Sequence, residues 1–199
     1  MTISAKDVKA LRDRTGAGMM DCKRALQETN GDMEAAIDYL RAKGAAKAAK
    51  RAAKAANEGT IGSYLHFGGK VGVMVELNCE TDFVAKNDEF LQLAKDLAMH
   101  IAAASPLAVR PEDLPEAVVE RERSVFLEQV KNEGKPEHIA EKIVEGKLRK
   151  FFEENTLLKQ AFVKDTDRTI EEIITEASAK TGERIEVARF ARFQVGGGE

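Results

Sequence analysis

The chain has 199 residues, 43% of them hydrophobic and 33% charged, a length that fits one domain or two small ones. Its ordinary apolar content and only 4 Pro exclude collagen-like, mucin-like and disordered classes, and no apolar run approaches the ~20 residues of a membrane span. The net charge of -3 is unevenly placed: residues 1–58 hold twelve Lys and Arg against eight Asp and Glu, and the remainder nineteen against twenty-six, which predicts a basic head on an acidic body.

Residues 1–44 read as three short helices. Ser4-Ala5-Lys6-Asp7 carries an S-x-x-D capping signal ahead of Val8 and Leu11, and Thr15-Gly16-Ala17-Gly18 breaks that helix. Met19, Cys22, Ala25 and Leu26 return at helical spacing, Asn30-Gly31-Asp32 stops and restarts the chain, and Met33, Ala36, Ile37 and Leu40 form the third apolar face. Gly44 then reads as a C-terminal cap.

Residues 45–58 are Ala-rich and basic, and read as a separate linker helix, since Ala has the highest helix propensity. At about 100° per residue, Lys43, Lys47, Lys50 and Lys54 fall within an arc of roughly 60°. The stripe is either a solvated face or a surface for an anionic partner.

Residues 59–199 form the core in this reading. Ile61, Ser63, Leu65 and Phe67 alternate with Gly62, Tyr64 and His66, and Val71, Val73, Val75, Leu77 and Cys79 repeat the pattern beyond Gly68-Gly69, which predicts a hairpin with a two-residue link. Helical spacing resumes from Phe90 to Ile101. Three prolines, Pro106, Pro111 and Pro115, mark a loop before helices over about 116–133 and 137–154, the second with Ile139, Ile143, Val144, Leu148 and Phe152 on one face. An irregular stretch around Lys164-Asp165 precedes a capping box at Thr169-Ile170-Glu171-Glu172, whose helix ends at Gly182. Ile185, Val187, Phe190, Phe193 and Val195 indicate a last strand that joins the hairpin, because two strands alone make a poor sheet. The fold class expected is α+β: a three-helix head, then a helix-rich core with a small antiparallel sheet.

Residue patterns that carry chemistry are few. His66, His100 and His138 are scattered and Cys22 and Cys79 lack partners at ligand spacing, so no metal site is expected, and His100 reads as a packed structural histidine. Phosphate-binding loops and nucleophile elbows are missing too, so no cofactor and no enzymatic activity are expected. With no apolar leader before the first charges and two thiols read as reduced, the expected location is cytoplasmic. The most unusual local segment runs from Asn78 to Asn87, where the strand pattern stops before the helix pattern starts. Thr81 or Asp82 can cap that helix. Phe83 either turns inward, as aromatics usually do, or projects as an anchor beside an acidic residue.

Arg14-Thr15-Gly16-Ala17-Gly18-Met19-Met20-Asp21-Cys22-Lys23-Arg24-Ala25-Leu26 and Glu76-Leu77-Asn78-Cys79-Glu80-Thr81-Asp82-Phe83-Val84-Ala85-Lys86-Asn87 resemble the two signatures of the bacterial elongation factor Ts family. Ala98-Met99-His100-Ile101-Ala102-Ala103, Gly134-Lys135-Pro136, the run from Ile139 to Lys147 and Phe162-Val163 also match the family pattern, so the likeness covers nearly the whole chain in order. The resemblance implies a guanine-nucleotide exchange factor, not an enzyme, that binds elongation factor Tu in its GDP-bound and nucleotide-free states. It implies a ubiquitin-associated-like head docking on the GTPase's nucleotide-binding domain. It also implies a Thr81-Asp82-Phe83-Val84 segment whose Asp and Phe push in near the magnesium site. A buried aromatic supplies roughly 1.5–3 kcal/mol, whereas a ~10⁴-fold acceleration needs about 5.5 kcal/mol. Head contacts are therefore expected to contribute, with Val8, Leu11, Met19 and Met20 as candidates.

The chain resembles the short form of the family, in which two copies pair, so a homodimer is expected. Short relatives can carry a Cys in the last strand, whereas Arg189-Phe190-Ala191-Arg192-Phe193 has none, so the pairing would be non-covalent. Two other readings, an RNA-binding module using the lysine stripe and an adaptor for ubiquitin-like proteins using the head, leave the Thr81-Asp82-Phe83 segment without a role. RNA and membrane partners are not expected.

Overall fold

The helix-stop residues of the N-terminal stretch act as read in the computed structural model, which describes residues 3–134 and 136–197. Lys135 of the Gly134-Lys135-Pro136 match, the chain ends Met1, Thr2, Gly198 and Glu199, and the His138 side chain lie outside what is described. The fold is α+β, with N-terminal helices, a helix-rich core and a small antiparallel sheet. Its described residues fall into two compact units, one within Met1–Thr60, Leu77–Leu93 and Glu172–Glu186, the other within Ile61–Glu76, Ala94–Glu171 and Val187–Glu199.

In the first unit, α1 (Ala5–Thr15) starts where the Ser4 hydroxyl accepts the Asp7 N–H at 3.1 Å. Helix α2 (Met19–Glu28) follows the glycine break, and α3 (Met33–Arg51) is capped by Asp32, whose carboxylate accepts the Ala35 N–H at 3.0 Å. Val8, Leu11, Cys22, Ala25, Leu26 and Ala36 are the buried core of this bundle, with Ile3, Met33, Ile37, Tyr39 and Leu40 packed around them.

The expected stop at Gly44 is overturned, because α3 runs through it to Arg51 without a break. Five alanines from Ala42 to Ala49 carry the helix by propensity, which outweighs one glycine. Gly44 serves packing instead. It is buried, and a Cβ there would stand 3.1 Å from the Ala179 Cβ of α8 (Ile170–Thr181). The separate linker helix over 45–58 is therefore the second half of α3, and Lys54 lies beyond its end rather than on its stripe.

Strands β1 (Glu58–Leu65) and β2 (Val71–Cys79) form the expected hairpin, most of which is counted in the second unit. The link is five residues, 66–70, rather than two: the His66 N–H donates to the Val71 carbonyl at 2.9 Å and the Gly69 N–H to the His66 carbonyl at 2.9 Å. Strand β5 (Glu186–Gln194) joins β2, giving the order β1-β2-β5, and the Val195 N–H donates to the Lys70 carbonyl at 2.9 Å, as antiparallel pairing requires. Helix α5 (Asp88–Ala104) lies directly on β1, since a Cβ at Gly62 would be 2.4 Å from the Ala94 carbonyl oxygen. Only glycine allows that approach.

The sheet's other surface is apolar and exposed. Ile61, Leu65, Met74 and Phe193 stand out from it, and Phe67 at the hairpin tip is 96% exposed. Leu65 reaches across to Gly72, 3.6 Å from the position of an added Cβ.

Helices α6 (Glu116–Asn132) and α7 (Glu137–Asn155) pack as a hairpin around Val130, Ala140, Val144 and Leu148. Ile143 and Phe152 border that core as expected, but Ile139 is exposed and Ala140 takes its place. The irregular stretch proves to be a second small sheet, β3 (Ala161–Phe162) pairing antiparallel with β4 (Asp165–Thr169). Two residues are too few to show a strand period.

His100 is wholly buried, as the sequence predicts. Its Nδ1 accepts the Val163 N–H at 3.3 Å and its Nε2–H donates to Gln160 Oε1 at 2.9 Å, which sets the tautomer; burial holds its pKa below the usual histidine value.

Candidate partner-binding site

Beyond Cys79 the main chain leaves the sheet, stays extended through Thr81 and turns at once into α4 (Asp82–Ala85). Thr81 is the cap of the two weighed: its hydroxyl accepts the Val84 N–H at 3.5 Å. No residue of α4 is buried. Four residues are too short to be stable as an isolated helix, so its geometry must come from what surrounds it.

Polar contacts with other parts of the first unit surround it. The carboxylate of Glu183, in the turn after α8, accepts the Glu80 N–H at 3.1 Å, the Thr81 N–H at 3.1 Å and the Thr81 hydroxyl at 2.6 Å. Glu80 points the other way. Its carboxylate accepts the Arg184 N–H at 2.7 Å and the Arg51 guanidinium at 2.7 Å, with the Lys54 ammonium at 3.6 Å. These partners, the Arg184 N–H first, hold its pKa below the usual glutamate value, so it is ionised at neutral pH. The Cys79 thiol donates to the Thr81 carbonyl at 3.1 Å, and burial raises its pKa, which keeps the proton that this bond needs.

Held this way, the segment presents Phe83 to solvent with 83% of its surface exposed. Of the two arrangements open to Phe83, the ring projects and does not turn inward. Asp82 lies beside it, paired with Lys86 one turn later at 2.7 Å, and that lysine lowers its pKa. Val84 is half-buried. An exposed ring next to an ionised carboxylate, on a braced protrusion, can insert into a partner. The described residues contain no group of three His, Cys, Asp or Glu able to hold a metal.

The head candidates divide. Met19 and Met20, at the start of α2, are 47% and 68% exposed. Val8 and Leu11 are interior to the bundle, because the α1 stripe that carries them faces α2 and α3. As a correction to the sequence reading, these two build the head rather than present a surface.

The lysine stripe is largely engaged within the molecule. Lys43 and Lys47 both pair with Asp21, at 3.0 and 2.9 Å, and lower its pKa, Lys47 the more; Lys54 pairs with Glu80. Of those four lysines, Lys50 alone has no partner among the described residues. Sequence reading missed Glu183, Arg184 and Arg51 as parts of the site. The helix end at Gly182 was legible, but nothing local marks the next residue as a ligand for a segment a hundred positions earlier.

Comparison with known proteins bears on what this site meets. A family model described as elongation factor TS matches residues 23–197. The chain is 59% identical over 194 residues to the elongation factor Ts of Thermosipho melanesiensis, covering 98% of this chain and 99% of that protein. It is 56% identical over 196 residues to that of Syntrophobacter fumaroxidans, with 98% of each covered, and 58% identical to that of Moorella thermoacetica, with 98% and 97% covered.

Proposed function

The chain belongs to the elongation factor Ts family, and from that premise we propose that it is a guanine-nucleotide exchange factor for elongation factor Tu. It binds the GDP-bound GTPase, disturbs the magnesium site and promotes GDP release, by binding alone and without catalytic chemistry of its own. The observation that carries this reading is the exposure of Phe83 next to ionised Asp82, on a segment braced from both sides. An aromatic left in water by its own fold is available to a partner's interior.

The mechanism is reciprocal coupling. A factor that binds its partner best when Mg²⁺ and GDP have left must weaken the hold on both by the same factor. Phe83 would wedge into the nucleotide-binding domain, while the Asp82 carboxylate would contend with the oxygen ligands of the magnesium ion. One buried ring contributes roughly 1.5–3 kcal/mol, so a large acceleration draws also on the head, through Met19 and Met20. The first test is release of fluorescent GDP from purified elongation factor Tu with catalytic amounts of this chain. Accelerated release over many turnovers is expected; no acceleration by the folded chain would end the proposal.

We further propose that two copies pair through the exposed face of the sheet. Its strand order leaves β1 and β5 at the edges, and Leu65, Met74 and Phe193 give it an apolar surface of the kind that marks an interface. No described helix is long and apolar enough to cross a membrane. Light scattering is expected to give twice 21.8 kDa for the chain, and the monomer mass for Phe193→Asp. A substituted chain that remains dimeric would exclude this face.

A further inference from the structure

We propose that Glu183 is the positioning residue of the Thr81-Asp82-Phe83 segment, holding it before contact in the form that enters the partner. This rests on the exchange reading above and adds a residue that the family signature does not contain. Helix α4 has no fully buried residue and only four positions, with Val84 half-buried, so apolar burial and helix cooperativity do little to fix its direction. What remains is the polar bracing. Glu183 contributes three of its bonds, to two main-chain N–H groups and one hydroxyl.

The Thr81 hydroxyl relays the effect. Its proton is committed to Glu183 at 2.6 Å, which leaves an oxygen lone pair for the Val84 N–H at the start of α4. Removing the carboxylate thus loosens the cap as well as the main chain. Glu183 is itself anchored: its N–H donates to the Thr181 hydroxyl at 3.3 Å and its carbonyl accepts the Ser178 hydroxyl at 2.5 Å. The next residue completes a reciprocal exchange, since the Arg184 N–H goes to Glu80 while the Glu80 N–H goes to Glu183. Each segment's carboxylate takes the other's main-chain hydrogen.

Glutamine at 183 keeps one acceptor oxygen but turns an amide N–H₂ toward donors, so it cannot reproduce three accepted bonds. A wedge that must be ordered during docking loses rate in the release step, while the head still sets encounter. Glu183→Gln is therefore expected to lower kcat for GDP release about tenfold, the effect of losing about one hydrogen bond to a charged acceptor, with KM changed less than about twofold. Glu183→Asp, which keeps the charge and both acceptor oxygens, should recover part of the loss.

The chain contains no Trp, so Phe83→Trp places a single indole reporter at the wedge. Adding Glu183→Gln to that variant is expected to lower the indole's anisotropy while circular dichroism and the unfolding midpoint stay close to the parent's. If Glu183→Gln fails to fold, Thr81→Val removes one of the three donors and should move anisotropy and kcat in the same direction by less. Unchanged anisotropy in the folded variant would overturn the proposal, as would unchanged kcat in a chain whose parent is active. If the parent itself does not accelerate release, the exchange reading fails, and the anisotropy still decides whether Glu183 orders the segment.

Discussion

Replacing Phe83 with alanine is expected to slow GDP release from elongation factor Tu by about 10- to 100-fold and to leave the chain's thermal unfolding unchanged. The two halves of that result have one cause. Phe83 is 83% exposed and packs against nothing that the fold depends on, so its removal opens no cavity. Its contribution arises only when a partner buries the ring, where roughly 1.5–3 kcal/mol is lost on truncation, and each 1.36 kcal/mol is a factor of ten in rate. Stopped-flow release of fluorescent GDP, read beside a melting curve, separates the halves. Equal rates for the two proteins would remove Phe83 from the mechanism, and a lowered melting temperature would mean that the ring also has a role within the fold.

Leu11→Ala is expected to act in the opposite way, unfolding the head while leaving the Phe83 side chain itself in the chain. Leu11 is wholly buried in a core of six residues. Leucine-to-alanine changes in such sites cost about 2–5 kcal/mol. A bundle of some forty residues has a total stability of about 2–6 kcal/mol at the usual value per residue, so one substitution removes most of it. Hydrogen exchange should show the amides of α1 and α2 losing protection while those of α6 and α7, in the other compact unit, keep theirs. In the exchange assay KM should rise, because Met19 and Met20 lose the frame that presents them. Protection retained throughout α1 would show that the bundle draws its stability from beyond its own core.

That Val8 and Leu11 build the head while Met19 and Met20 face solvent illustrates how far local pattern reaches. Periodicity identifies an apolar stripe, and Val8, Leu11 and Met19 each belong to one. Which stripe meets another helix depends on the angle at which three helices cross, a property of no single segment. Gly44 shows the same limit from another side. A glycine at the end of an apolar run reads as a stop, and here it is the place where α3 closes to 3.1 Å on Ala179. Strand β3 is two residues long and has no period to detect.

The sequence by itself determined the elements bounded by strong local chemistry: the cap at Ser4, the restart at Asn30-Gly31-Asp32, the alternation of β1 and β2, the burial of His100, and the signature around Phe83 that marks the family. Each rests on interactions within a few residues, which spacing along the chain encodes directly. Tertiary structure alone decided that Phe83 stands in solvent and that Glu183 and Glu80 brace its segment. It also decided that Lys43 and Lys47 pair with Asp21 and Lys54 with Glu80, although Lys47 and Lys54 stay exposed. Those are contacts between groups up to about a hundred positions apart. A carboxylate's partner is set by which donors the folded chain brings within 3 Å, and the residue's own neighbours in sequence carry no record of it.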